Sequence, residues 1–90
     1  MATTTLHLPR VLEPVVGQVR QVTVTGDTVQ EALADLCAQL PALSGRLFDE
    51  AGVLRRHVMC VHNGTAIRLT RPAPLADGDD LAILPAVSGG

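Results

Sequence analysis

Lysine is absent from these 90 residues, and all seven basic side chains are arginines. The only primary amine is therefore the amino terminus. A general bias toward Arg, Ala, Val and Leu accounts for this without any special role. Aromatic residues are nearly absent too: Phe48 stands alone, with no Trp or Tyr. That removes the stacking platform on which single-stranded nucleic acids are held, and it leaves the core to Leu, Val, Ile and Ala. Formal net charge is -2 and the arginines are dispersed along the chain, so no basic stripe for phosphates is legible. Two cysteines, Cys37 and Cys60, cannot supply the four ligands of an iron–sulfur cluster. Their spacing matches neither a zinc nor a redox motif, and both read as small buried hydrophobes. No apolar run approaches the ~20 residues of a membrane-spanning helix. The opening MATTTLHLPR lacks the charged start and apolar stretch of a signal peptide, so a cytoplasmic protein is expected.

What is present is a sequence of short periodic segments. Thr3 to Pro9 alternates, with Leu6 and Leu8 on one face, as a half-buried strand does. Pro9 and Pro14 bound a short irregular or single-turn segment that Gly17 ends. Val19 to Thr25 alternates again, with Val22 and Val24 together. The period then changes. Val29, Leu33, Leu36, Cys37 and Leu40 recur at helical spacing, with Gln30, Glu31 and Asp35 pointing away. Thr28 and Glu31 have the spacing of a capping box at the start of this helix, and Pro41 stops it. Ala42 to Phe48 reads as a loop with a short helical turn, and Asp49 to Gly52 as a turn. His57 to His62 is a third strand, and Asn63-Gly64 is a tight-hairpin signal leading into a fourth at Ala66 to Leu69. Pro72 and Pro74 mark a loop, and Asp77-Gly78-Asp79 a turn. Leu81 to Leu84 is the last strand, with Leu81 and Ile83 facing one way and Ala82 and Leu84 the other. The order β, β, α, β, β, β predicts a two-layer α+β domain. A mixed sheet of about five strands, first and last parallel at its centre, would be crossed by one main helix. This is the β-grasp arrangement, the fold of ubiquitin. Residues 1–85 form the expected domain and residues 86–90 a flexible Gly-Gly tail.

Conventional catalytic groupings are not legible. His57 and His62 are five apart, on opposite faces of a regular strand, so they do not share a metal. These two and His7 read as surface or hydrogen-bonded structural histidines. Ser44 and Ser88 lack a nucleophile-elbow context. Asp77, Asp79 and Asp80 lack the remaining ligands of a calcium loop. No Gly-rich loop precedes a helix to cradle a phosphate, and no metal or bound cofactor is expected. The end of the chain remains. Pro85 has no N–H and ends the pairing of the last strand. Ala86, Val87, Ser88, Gly89 and Gly90 follow, and the two glycines are thin enough to enter a narrow channel. The reactive group offered there is the α-carboxylate of Gly90. A carboxylate becomes an electrophile once ATP adenylates it.

The stretch from Asp77-Gly78-Asp79 through Leu81 to Gly90 resembles the end of MoaD/ThiS-type ubiquitin-like sulfur carriers. The likeness extends along the chain, through Val15-Val16-Gly17, Gly26-Asp27-Thr28-Val29 and Val61 to Gly64. His62 and Asn63-Gly64 depart from the family's usual pattern, which commonly has an apolar residue at the histidine. The ILPAV-x-GG ending is most similar to the CysO type, which serves a cysteine-synthase-like enzyme. The resemblance implies a protein cosubstrate, not an enzyme. An E1-like adenylating enzyme would consume ATP to activate Gly90, and a sulfurtransferase, cysteine desulfurase or other sulfide source would convert it to a thiocarboxylate. A sulfur-accepting biosynthetic enzyme would then receive the tail, Val87, Ser88, Gly89 and Gly90. The resemblance also implies an apolar docking patch on the sheet face away from the helix, at Leu84, Pro9 and Ala66. A ubiquitin-like modifier or β-grasp interaction module, and a molybdopterin-synthase-type small subunit, are the alternatives.

Overall fold

Alternation and helical period translate directly into the elements of the computed structural model, which describes residues 1–85. Strand β1 (Ala2–His7) is followed by a short helix α1 (Glu13–Val16) and by β2 (Gln21–Gly26). The main helix α2 (Val29–Gln39) comes next, then a 3-10 turn at Pro41–Leu43 and a one-turn helix α3 (Ser44–Leu47). Strands β3 (Val58–His62), β4 (Thr65–Ile67) and β5 (Asp80–Pro85) complete the sheet. Its order is β2-β1-β5-β3-β4, with β1 and β5 parallel and every other neighbour antiparallel. The expected β-grasp sheet, with parallel first and last strands at its centre, is thus present.

The capping box forms with one displacement. The Glu31 N–H donates to Thr28 Oγ1 at 3.2 Å, as the spacing predicts, but the Glu31 carboxylate accepts from the Asp27 N–H at 2.9 Å, one residue before the cap. The helix start also sits against the sheet more closely than its period shows. A Cβ on Gly26 would stand 2.7 Å from Glu31 Cβ and 2.8 Å from the Ala32 nitrogen, so only glycine fits where β2 meets α2. Polar residues expected to face water are used instead as ties. Gln30 accepts from Ala73 N–H and donates to the Arg71 carbonyl, and Asp35 accepts from Thr25 N–H. These bonds hold residues 71–73 and β2 against the helix, at separations that no local pattern reveals.

The core lies between α2 and one sheet face. Leu33 and Leu36 of the helix meet Leu6, Val24, Cys60, Leu81 and Ile83 of the strands. Each fully buried leucine contributes roughly 1.5–3 kcal/mol through removal from water. Leu43 and Leu47, from the stretch read as a loop with a helical turn, are also fully buried. Cys37 and Cys60 are separate free thiols, the first half-buried and the second buried. His57 precedes β3 rather than lying in it, so only His62 of that pair has a strand face. The third strand starts one residue later than expected, and the fourth ends at Ile67 instead of Leu69.

Candidate functional site: the end of the sheet where the last strand stops

Strand β5 reaches this end from a tightly fixed start. Asn63 and Gly64 have φ of 50° and 84°, the left-handed pair that a tight hairpin needs. The Asn63 side chain then joins that hairpin to the Asp77–Asp80 turn: its amide donates to Asp79 at 3.1 Å and its carbonyl accepts from Asp80 N–H at 2.8 Å. Asp79 also accepts from Ala76 N–H at 3.0 Å and from His62 Nε2 at 2.8 Å. A carboxylate can only accept, so Nε2 carries the hydrogen. The Ala76 amide first, then His62 and Asn63, hold the Asp79 carboxyl down at about 2. Asp77 accepts from Thr3 N–H, and Asp80 lies 2.7 Å from His7 Nε2. The acidic cluster is therefore a structural turn, and two of the three histidines are its hydrogen-bonded partners.

From there the strand runs to Pro85 with the expected alternation. Leu81 and Ile83 enter the core, while Leu84 is 38% exposed. Strand β1 pairs only with Asp80–Ala82, and β3 alone accompanies β5 as far as Pro85, opposite Val58. Pro85 brings no N–H to that last pair. The register places Met59 opposite Leu84, and Val61 opposite both Ala82 and Ala66. Opposed residues share a sheet face, so Met59, Val61, Ala66, Ala82 and Leu84 form one apolar area on the face away from α2. Ala66 is exposed at its edge. Pro9 is half-buried and extended, two residues past the last β1–β5 pair, where the register continued sets it level with Leu84. The three residues expected at a docking patch thus lie on or beside one surface. Ala82 shares the side of Leu84 by the alternation of β5, but Met59 and Val61 were missed, and only the strand register reveals them. Val87, Ser88, Gly89 and Gly90 lie outside the described residues.

Among the described residues, no group of three or more His, Cys, Asp or Glu side chains is placed to hold a metal ion. Burial pushes the Cys60 thiol up to about 11 and raises that of Cys37, which disfavours at both the thiolate that sulfur chemistry on cysteine requires. Among the described residues no helix is long and apolar enough to cross a membrane.

Known proteins of the same size carry the same elements. The profile of the ThiS family matches residues 8–90. The sulfur carrier protein CysO of Mycobacterium tuberculosis is 37% identical over 90 residues, covering 96% of this chain and 97% of its own. The crystal structure of small archaeal modifier protein 1 from Haloferax volcanii superposes with a TM-score of 0.84 at 38% identity, over 99% of this chain and 100% of that one. In the Amycolatopsis orientalis BexX/CysO complex, the matching chain gives a TM-score of 0.82 at 32% identity, over 97% of this chain and 99% of that one. The chain belongs to the ThiS family, as a ubiquitin-like β-grasp sulfur carrier or small modifier that serves as a protein cosubstrate and is not itself an enzyme.

Proposed function

We propose that the protein carries sulfur as a thiocarboxylate on Gly90. The observation that carries this reading is the family match, which runs to residue 90 and so includes the Gly-Gly ending. The Gly90 carboxylate attacks the α-phosphate of ATP on an E1-like enzyme, giving an acyl adenylate and pyrophosphate. Hydrosulfide attacks the acyl carbon directly; alternatively the outer sulfur of a sulfurtransferase or cysteine desulfurase persulfide attacks it, and a second thiol then reduces the acyl disulfide, leaving as a disulfide with that enzyme's cysteine. AMP leaves with the electron pair of the broken C–O bond, and the thiocarboxylate remains. An acceptor enzyme then takes the sulfur, and water restores the carboxylate. Burial disfavours the thiolate at both cysteines, which favours this route over a persulfide held on the chain. Likeness to the mycobacterial carrier favours a cysteine-synthase-like acceptor, with another sulfur-containing metabolite as the alternative product. The outer-face residues Leu84, Pro9 and Ala66 are the proposed contact with the activating enzyme, and Met59, Val61 and Ala82 extend it.

Intact-mass measurement tests the reading. After incubation with ATP, the activating enzyme and sulfide, the chain should gain the mass of one oxygen replaced by sulfur, located at Gly90. Deletion of Gly90, or one residue added after it, should abolish the gain without unfolding the domain. Sulfur transfer surviving both changes would falsify the carrier assignment. Likeness to small archaeal modifier protein 1 favours a second reading, attachment of the same terminus to protein amines. That reading predicts an amide adduct on another protein in the same assay without sulfide.

A further inference from the structure

Arginines dispersed along the sequence are gathered by the fold at the end where β5 stops. Arg10 follows β1, and Arg20 precedes β2, where its carbonyl accepts from Leu8 N–H. Arg56 lies two residues before Val58, the partner of Pro85. Arg46 and Arg55 line one depression with His57 beside them. Five of the seven arginines are thus at this end, where among the described residues only Glu13 pairs with one of them, Arg20 at 2.8 Å. Asp49 and Glu50 share the groove at the side of the molecule with Arg55 and Arg56, but neither carboxylate forms an ion pair with them among the described residues. The opposite end is acidic, with Asp27, Asp77, Asp79 and Asp80 all engaged by hydrogen bonds or ion pairs to the chain itself. Arg10, Arg46 and Arg56 are exposed, and among the described residues their side chains have no hydrogen bond or ion pair.

We propose that these arginines form a collar that seats the protein on an acidic rim around the channel of the activating enzyme that receives residues 86–90. The inference rests on the sulfur-carrier reading and names the partner surface for it. Charge complementarity fixes the sign of that surface. Residue type narrows it further, because the planar guanidinium fork matches a carboxylate bidentately and stays charged under all working conditions. Five residues beyond Pro85 reach about 17 Å when extended, so a collar at their root contacts whatever surrounds the channel mouth. A nucleic acid fits less well. Phosphates would find the charge, but the lone aromatic, Phe48, is half-buried against the core.

The test uses the whole chain and the activating enzyme identified by the mass assay. The triple variant Arg10→Gln, Arg46→Gln, Arg56→Gln should raise KM for thiocarboxylate formation roughly 5- to 30-fold at about 0.05 M salt. It should leave kcat unchanged, and the difference should shrink at about 0.3 M salt as screening grows. Arg71→Gln changes one charge near the start of α2, at the other end, and should leave KM as it was. If the triple variant melts early by circular dichroism, Arg56→Gln alone carries the test with a smaller rise. An unchanged KM, or an equal rise in Arg71→Gln, overturns the collar. So does loss of binding to a fluorescent single-stranded DNA with KM unaffected. Failure of the carrier reading is distinct: the unaltered chain would then gain no sulfur at all.

Discussion

Asp79 shows how one side chain can set the acid limit of the domain. Three donors hold its carboxyl at about 2 in the folded protein, against 3.8 for the ordinary group. A depressed carboxylate stabilises the fold fully above its unfolded value, and that contribution is lost as pH falls through the folded one. The loss attributable to Asp79 is therefore expected between about pH 4 and pH 2. Urea midpoints measured across that window should fall for the natural chain. They should fall less for Asp79→Ala, which starts lower at neutral pH because Ala76, His62 and Asn63 lose their acceptor. Parallel curves would show that the Asp79 network does not contribute. Gly26 makes the complementary point without charge. Its missing Cβ is what lets β2 approach α2, so Gly26→Ala is expected to cost about 1–3 kcal/mol in denaturant unfolding. An ordinary strand glycine would gain from the same change.

Single elements separate stability from function most sharply in β5. Ile83 is 2% exposed and Leu84 is 38% exposed, on opposite faces of one strand. Ile83→Ala is expected to cost about 2–5 kcal/mol. Leu84→Ser should stay within about 0.5 kcal/mol of the natural chain, yet raise KM with the activating enzyme. Paired melting and kinetic measurements check both, and a Leu84 variant with an unchanged KM would remove this residue from the proposed contact. The same strand shows why some elements are legible in a sequence. Its alternation, the Asn63-Gly64 turn, the Thr28–Glu31 cap and the helical period of Leu33 and Leu36 are all local patterns, and all were readable. Leu43 and Leu47 were not recognised as core because a one-turn helix is too short to display a period. Gln30 and Asp35 looked like solvent-facing residues because their partners, in residues 71–73 and at Thr25, come from elsewhere in the chain. The outer-face area was half legible: Leu84 follows from alternation, but Met59 and Val61 require the β3–β5 register.

At the scale of the whole molecule, the missing lysine has a consequence that depends on where the remaining amine sits. The Met1 amino group lies 3.3 Å from Asp27, at the acidic end. The arginines cluster at the other end, where β5 stops, and guanidinium groups at working pH are not acyl acceptors. The cationic surface where β5 stops therefore offers no nucleophilic nitrogen, while the one amine lies at the opposite end of the sheet. Activation with ATP and the E1-like enzyme, without sulfide, is then expected to give no ladder of self-conjugates on a denaturing gel. Any dimer formed must join one chain's terminus to the Met1 nitrogen of another, and acetylation of that nitrogen should abolish it. A ladder that survives acetylation would require a different acceptor, and peptide mapping would locate it. Conversely, Arg56→Lys keeps the positive charge and places an amine two residues from the partner of Pro85. That variant should show self-adducts under the same conditions while KM rises far less than for Arg56→Gln, separating the charge of the collar from its chemical inertness.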